Sequence, residues 1–158
     1  MTRRLLAALA LMLIAMPALA ETKAFGQGSW QRITEAHRDR PLVVHLWSLT
    51  CAPCLVELPH WRDMIRRHPD LDVVFVATDP LEETPRLERA LARAGLAGRE
   101  SWAFADPFVE RLRFEIDRSW HGELPITRLI ATDGSVETVT GNLDEARLGQ
   151  WLKARAKP

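Results

Sequence analysis

At 158 residues, with 21 basic and 21 acidic side chains and a formal net charge of zero, the chain has the size of one domain. It has no basic excess that would draw it to nucleic acid. Apolar residues make up 47% and glycine occupies only eight positions, which excludes a disordered or low-complexity chain and calls for a packed core.

In chain order, Arg3 and Arg4 precede an apolar stretch from Leu5 to Met16. Pro17 breaks it, and Ala18–Leu19–Ala20 has the form of a cleavage site before Glu21. This is the pattern of a cleavable export signal over residues 1–20. The stretch is too short to span a bilayer as a mature anchor, and an uncleaved signal anchor is the alternative. No cysteine follows the site, so lipid attachment there is not expected. Cleavage removes two arginines and no acid, and leaves residues 21–158 as a single, slightly acidic domain, expected to be monomeric and periplasmic.

Glu21 to Gly28 reads as a short linker or a loose edge segment. Ser29 is placed to cap a helix through Arg38, with Trp30 and Ile33 inward, which Pro41 stops. Leu42 to Trp47 is a near-continuous apolar run, the pattern of a strand buried on both sheet faces. It leads into Cys51–Ala52–Pro53–Cys54, which holds both cysteines of the chain. Beyond them Leu55, Leu58, Trp61 and Ile65 recur at helical spacing to about His68, with Pro59 inside the helix as a kink.

The cysteine pair thus stands where a buried strand hands over to a helix. Unpaired N–H groups and the macrodipole at a helix start favour negative charge, so the first cysteine should be the more acidic thiol. Pro53 fits the first turn because its missing N–H is not needed there. Cys51 reads as the attacking thiol, and Cys54, inside the helix and more buried, as the resolving one. Half of a zinc site is the competing reading. It needs two further ligands, and His45, His60 and His68 repeat no familiar spacing. A purely structural disulfide is disfavoured because so short a loop gains little closure entropy. In an oxidising compartment the pair should form a disulfide.

Leu71 to Ala77 reads as a second buried strand. Thr84 and Pro85 open a helix with Leu87, Ala90, Leu91 and Ala94 inward, closed by Gly95. Ser101 to Ala105 reads as a short strand, and Pro107 to Phe114 as a short helix with Phe108 and Leu112 inward. Ile126 to Ala131 and Val136 to Thr140 flank the turn Asp133–Gly134 as a hairpin. Asn142 with Glu145 resembles a capping box before a last helix that buries Leu148, Trp151 and Leu152. This order gives an α/β fold with a mixed sheet, parallel where helices cross over and antiparallel in the last hairpin.

These features together resemble the exported TlpA/ResA/CcmG-like thiol–disulfide oxidoreductases of the thioredoxin fold, over about residues 25–157. Trp47 four residues before Cys51, the C-A-P-C motif, Glu57–Leu58–Pro59 and the Leu124–Pro125–Ile126–Thr127 stretch carry the likeness. Thr50 departs from it, replacing the tryptophan usual before the first cysteine, and so does Trp120–His121–Gly122–Glu123.

The resemblance implies a central mixed β-sheet flanked by helices on both faces and a redox-active Cys51–Cys54 disulfide with no other cofactor. It implies a cis Pro125 beside Cys51, an isomer that costs only about 0.5–1 kcal/mol at an X–Pro bond. A trans turn proline is the alternative. It also implies a reductase of protein disulfides fed by a membrane thiol donor such as a DsbD/CcdA-like protein. Apo-cytochrome c or a copper-centre protein would then be the client. The residues themselves leave the direction of electron flow open.

His45 and Glu57 are each read two ways. Either could relay the proton of Cys54, or His45 is a neutral hydrogen-bonded strand residue and Glu57 an exposed helix carboxylate. Two other functions stay open. In a Sco-like copper-binding chaperone, Cys51, Cys54 and His121 would hold Cu(I). In a binding module the disulfide would be inert.

Overall fold

A computed structural model describes residues 21–155; the expected export signal over 1–20 lies outside the described residues. In chain order the elements are β1 (Lys23–Phe25), α1 (Ser29–Ala36), β2 (Leu42–Trp47), α2 (Ala52–Arg67) and β3 (Asp72–Pro80). A turn of 3-10 helix (Leu81–Glu83) leads into α3 (Thr84–Arg93), β4 (Ser101–Phe104), α4 (Val109–Ile116), β5 (Ile126–Ile130), β6 (Val136–Thr140) and α5 (Glu145–Arg155).

The six strands form one sheet in the order β1-β4-β3-β2-β5-β6. β1 with β4, β4 with β3 and β3 with β2 run parallel; β5 runs antiparallel to both β2 and β6. The mixed sheet expected from the element order is therefore present. β2 lies inside it, paired on both edges, and all six of its residues are buried. Its pleat sends Leu42, Val44 and Leu46 to one face and Val43, His45 and Trp47 to the other.

Each face has its own core. On one, Val43, Trp47, Phe75 and Leu129 meet Leu58 and Trp61 of α2, Leu87 and Leu91 of α3, and Leu148 and Trp151 of α5. On the other, Val44, Leu46, Val74 and Phe104 meet Ile33 of α1 and Leu112 and Ile116 of α4. Helices thus cover both faces, because the strands alternate apolar residues to both sides.

Local expectations fail where a competing interaction wins. The segment after Glu21 is not loose: Lys23–Phe25 extends the sheet as β1. Ser29 does not cap α1. Gly28 does, at φ 75°, while Ser29 Oγ accepts from the Gly26 N–H at 3.0 Å. α1 also stops at Ala36, because His37 turns to Asp72 and Glu100 (2.8 and 3.1 Å). Thr84 caps nothing, since its hydroxyl donates to the Leu81 carbonyl at 2.6 Å. Phe108 is 66% exposed because α4 starts one residue later and runs on to Ile116. Asp144, not Asn142, caps α5 by accepting from the Arg147 N–H at 2.8 Å. Leu152 is only half-buried.

Candidate active site

The carboxyl end of β2 and the start of α2 carry the cysteines. Cys51 is the N-cap of α2, with extended backbone (φ −92°, ψ 97°), and Pro53 sits in the first turn. The Cys54 N–H points back at Cys51 Sγ at 3.2 Å, one of the donors a helix start leaves unpaired. The two cysteines are disulfide-bonded, with Cα atoms 5.3 Å apart. Cys51 is half-buried and Cys54 fully buried, so a partner can reach only the first. α2 continues through Pro59, whose absent N–H leaves the Leu55 carbonyl without its helical partner.

A brace absent from the sequence reading holds the loop before Cys51. Asp79, near the end of β3, accepts from the Leu49 N–H (3.0 Å) and the Ser48 hydroxyl (3.2 Å). Ser48 Oγ in turn accepts from the Thr50 N–H at 3.1 Å, and the Ser48 carbonyl from the Cys51 N–H at 3.2 Å. No sequence pattern marks Asp79, because it meets the loop only once β2 and β3 are paired.

Two ionisable groups are buried on the same side of the sheet as Cys54. Glu57 is one helical turn beyond Cys54 and 1% exposed; its Oε1 accepts from the Leu143 N–H at 2.6 Å. His45 is completely buried on β2, its Nδ1 3.0 Å from Thr127 Oγ1 of β5 and its ring 4.8 Å from that of Trp61. Glu57 Oε2 and His45 Nε2 face each other at 3.7 Å, beyond hydrogen-bond range, and neither has a partner among the described residues. Burial pushes the Glu57 carboxyl up to about 7, opposed in part by the Leu143 N–H, and pushes the His45 imidazole down to about 3. At neutral pH His45 is neutral and Glu57 is close to half-protonated. The exposed-carboxylate alternative for Glu57 is wrong, because α2 turns position 57 inward toward the 143 loop.

The Leu124–Pro125 peptide is cis. Pro125 is buried at the head of β5, its carbonyl accepting from the Gly141 N–H at 2.8 Å, and Leu124 packs on the same core cluster as Cys51. His121 is a surface residue. Its side chain is 83% exposed and its nearest acidic neighbour is Glu123, at 4.0 Å. Among the described residues no three His, Cys, Asp or Glu side chains gather as a metal site.

No family model matches the chain, and no curated protein matches it in sequence. Solved structures do match. A secreted Mycobacterium tuberculosis disulfide oxidoreductase homologous to E. coli DsbE superposes with TM-score 0.59 at 17% identity, over 76% of this chain and 85% of that one. A thiol:disulfide interchange protein of the thioredoxin family from Chlorobium tepidum gives 0.61 at 19%, over 77% and 83%. StoA from Bacillus subtilis gives 0.53 at 21%, over 72% and 83%. With a mixed sheet covered by helices on both faces, a cysteine pair opening α2 and a cis proline opening β5, the chain has the thioredoxin fold of these oxidoreductases.

Proposed function

We propose that this protein is an exported thiol–disulfide oxidoreductase that reduces disulfides of other proteins. One observation carries the reading. The reachable sulfur stands at a helix start, and the unreachable one lies a turn from a carboxyl buried in the core.

In the reduced protein the helix start favours Cys51 as thiolate. That thiolate attacks one sulfur of a client disulfide. A Cys51–client bond forms, the client S–S bond breaks, and the first client sulfur leaves as a thiolate that takes a proton from water. Cys54 then loses its proton to Glu57, attacks Cys51 Sγ and expels the second client thiolate. Two electrons have passed to the client, and the Cys51–Cys54 disulfide remains. A dithiol donor must restore the thiols, and a membrane thiol-reducing protein of the DsbD/CcdA kind fits that role. Glu57 has a way to pass the proton on, since it also lines a cavity of about 360 Å³ with His60, Asn142 and Asp144. His45, neutral and fixed to Thr127, is a positioning residue that sets its imidazole 3.7 Å from the carboxyl without adding a charge there.

The apolar run and A-L-A site over residues 1–20 support export to the periplasm, and the family resemblance supports cytochrome c or copper-centre maturation as the setting. The copper-chaperone alternative needs His121 to join Cys51 and Cys54; its side chain is 83% exposed, and among the described residues no such cluster is formed. The test is a Cys54→Ala variant incubated with a periplasmic extract. It should retain clients as dithiothreitol-sensitive adducts on Cys51. Recovery of none, equal to a Cys51→Ala control, overturns the scheme.

A further inference from the structure

Beside the redox pair runs a groove between α2 and α3, with a volume of about 540 Å³. That is within the range of pockets that take several side chains or a small ligand. Its apolar lining comes from Leu49, Leu55, Leu58 and Pro59 on one side and Ala90 and Ala94 of α3 on the other. Leu49 lies two residues before Cys51, and Leu55 directly follows Cys54, so the groove is lined by residues flanking the disulfide in the chain. Leu55 is 40% exposed and its neighbour Val56 66%, leaving apolar surface on the first turns of α2 uncovered.

One wall is unlike this lining. Arg86, Arg89 and Arg93 line it, spaced by three and four residues and so on one side of α3. No acidic side chain lines the groove. Arg86 is bound to Glu83 at 2.8 Å, in an exposed pair of the kind worth little. Neither Arg89 nor Arg93 has a carboxylate partner among the described residues. The contrast with α2 is direct: there Arg62 and Arg66 both bind Asp63, at 3.0 and 3.1 Å. The chain as a whole is neutral, so these arginines are a local patch and not part of a general positive field.

We propose that this groove docks an acidic segment of the client protein next to the disulfide being reduced, a proposal that rests on the reductase reading above. Guanidinium forks on one helix face match carboxylates spaced along a peptide, and the apolar lining takes the side chains between them. The client's cystine then lies over Cys51, while its Asp or Glu residues lie along α3.

Two readouts test this with the mature protein. The first is binding, by fluorescence titration of the oxidised protein, of cysteine-free peptides alike except for three Glu or three Gln. The acidic peptide should bind about tenfold tighter at low salt, and the advantage should shrink as salt screens it. The second is the rate at which the reduced protein reduces the corresponding disulfide-containing peptides. Arg89→Gln with Arg93→Gln should bring both acidic-to-neutral ratios close to one. Arg89→Glu with Arg93→Glu should favour a peptide with three Lys, and Arg89→Lys with Arg93→Lys should keep most of the acidic preference. Equal binding of the acidic and neutral peptides by the unsubstituted protein, or a preference that survives the double Gln change, overturns the docking site. Tighter binding of glutathione disulfide than of the acidic peptide, lost in the same double variant, also overturns it in favour of a small-molecule site. If no peptide is reduced but acidic binding depends on Arg89 and Arg93, the reductase reading fails and the docking surface stands.

Discussion

On the α1 and α4 face of the sheet, Ile33, Val44, Val74 and Leu112 pack against one another, and the partly buried Arg128 binds Asp117 and Thr138 through one amino nitrogen while its Nε has no partner. On the α2, α3 and α5 face, His45 and Glu57 lie as deep as any leucine, yet stand 3.7 Å apart with one polar atom each unanswered. Both faces hold the fold by the same apolar burial, but only one keeps an unpaired proton-binding group in its core. Unanswered buried polar atoms cost stability, and these two lie on the face that holds Cys54. The other face also leaves polar atoms unanswered, Nε of Arg113 and of Arg128, but these belong to guanidinium groups that keep their proton, whereas His45 and Glu57 lie on the face where a proton must move when Cys54 reacts.

Changes on either face should separate these roles. The largest effect is expected in acid. His45 has its affinity for protons lowered by folding, from 6.5 to about 3, so the stability it contributes is full above pH 6.5 and is lost as pH falls through 3. The whole shift corresponds to on the order of 5 kcal/mol. His45→Gln, which keeps a hydrogen-bonding group near Thr127 but does not titrate, should flatten this limb in urea unfolding between pH 3 and 6.5.

On the apolar face, Leu112→Ala should cost about 2–5 kcal/mol at every pH. It should leave the rate of insulin reduction unchanged, since nothing on that face touches the cysteines. A rate loss as large as that of a Glu57 variant would break the comparison.

Glu57 works in the opposite direction to His45. Its raised affinity for protons stabilises the fold below pH 4.5, and that contribution is lost as pH rises through about 7. The expected loss is roughly 3 kcal/mol. Between about pH 4.5 and 6.5 the two slopes oppose, so the oxidised protein should be most stable in that interval. Glu57→Gln should remove the decline toward pH 7. It should also slow release of the mixed disulfide by roughly a hundredfold, the scale of a lost general base, with the initial attack by Cys51 little affected. Stopped-flow measurement of the two steps separates them.

The smallest effect is optical. Trp47 is 1% exposed and packs in the same cluster as Cys54. Reduction should change its fluorescence, and Trp47→Phe should abolish most of that change despite the five remaining tryptophans.

Much of this arrangement was legible in residue order. Apolar runs located β2 and β3, helical spacing located α2 and α3, and Asp133–Gly134 located the final hairpin. The cysteine pair announced itself by spacing and by its place after a buried strand. What stayed hidden depends on contacts distant in the chain. Glu57 looks like any helix carboxylate until Leu143, 86 residues later, supplies its N–H. Asp79 looks like a strand-end residue until β3 lies beside β2. β1 has only three residues, and its pairing with β4 leaves no local signature. Arg89 and Arg93 carry no signal in the residue order, because their lack of carboxylate partners is visible only when the neighbouring elements are in place.

The central claim is that the Cys51–Cys54 bond is used, not merely present. Equilibrating the mature protein with graded glutathione or dithiothreitol buffers, and reading the Trp47 signal, measures the reduction potential directly. A reductase predicts a value near thioredoxin's, about −270 mV. A disulfide that excess dithiothreitol leaves intact contradicts the account, and a value near about −120 mV reverses the proposed direction of electron flow.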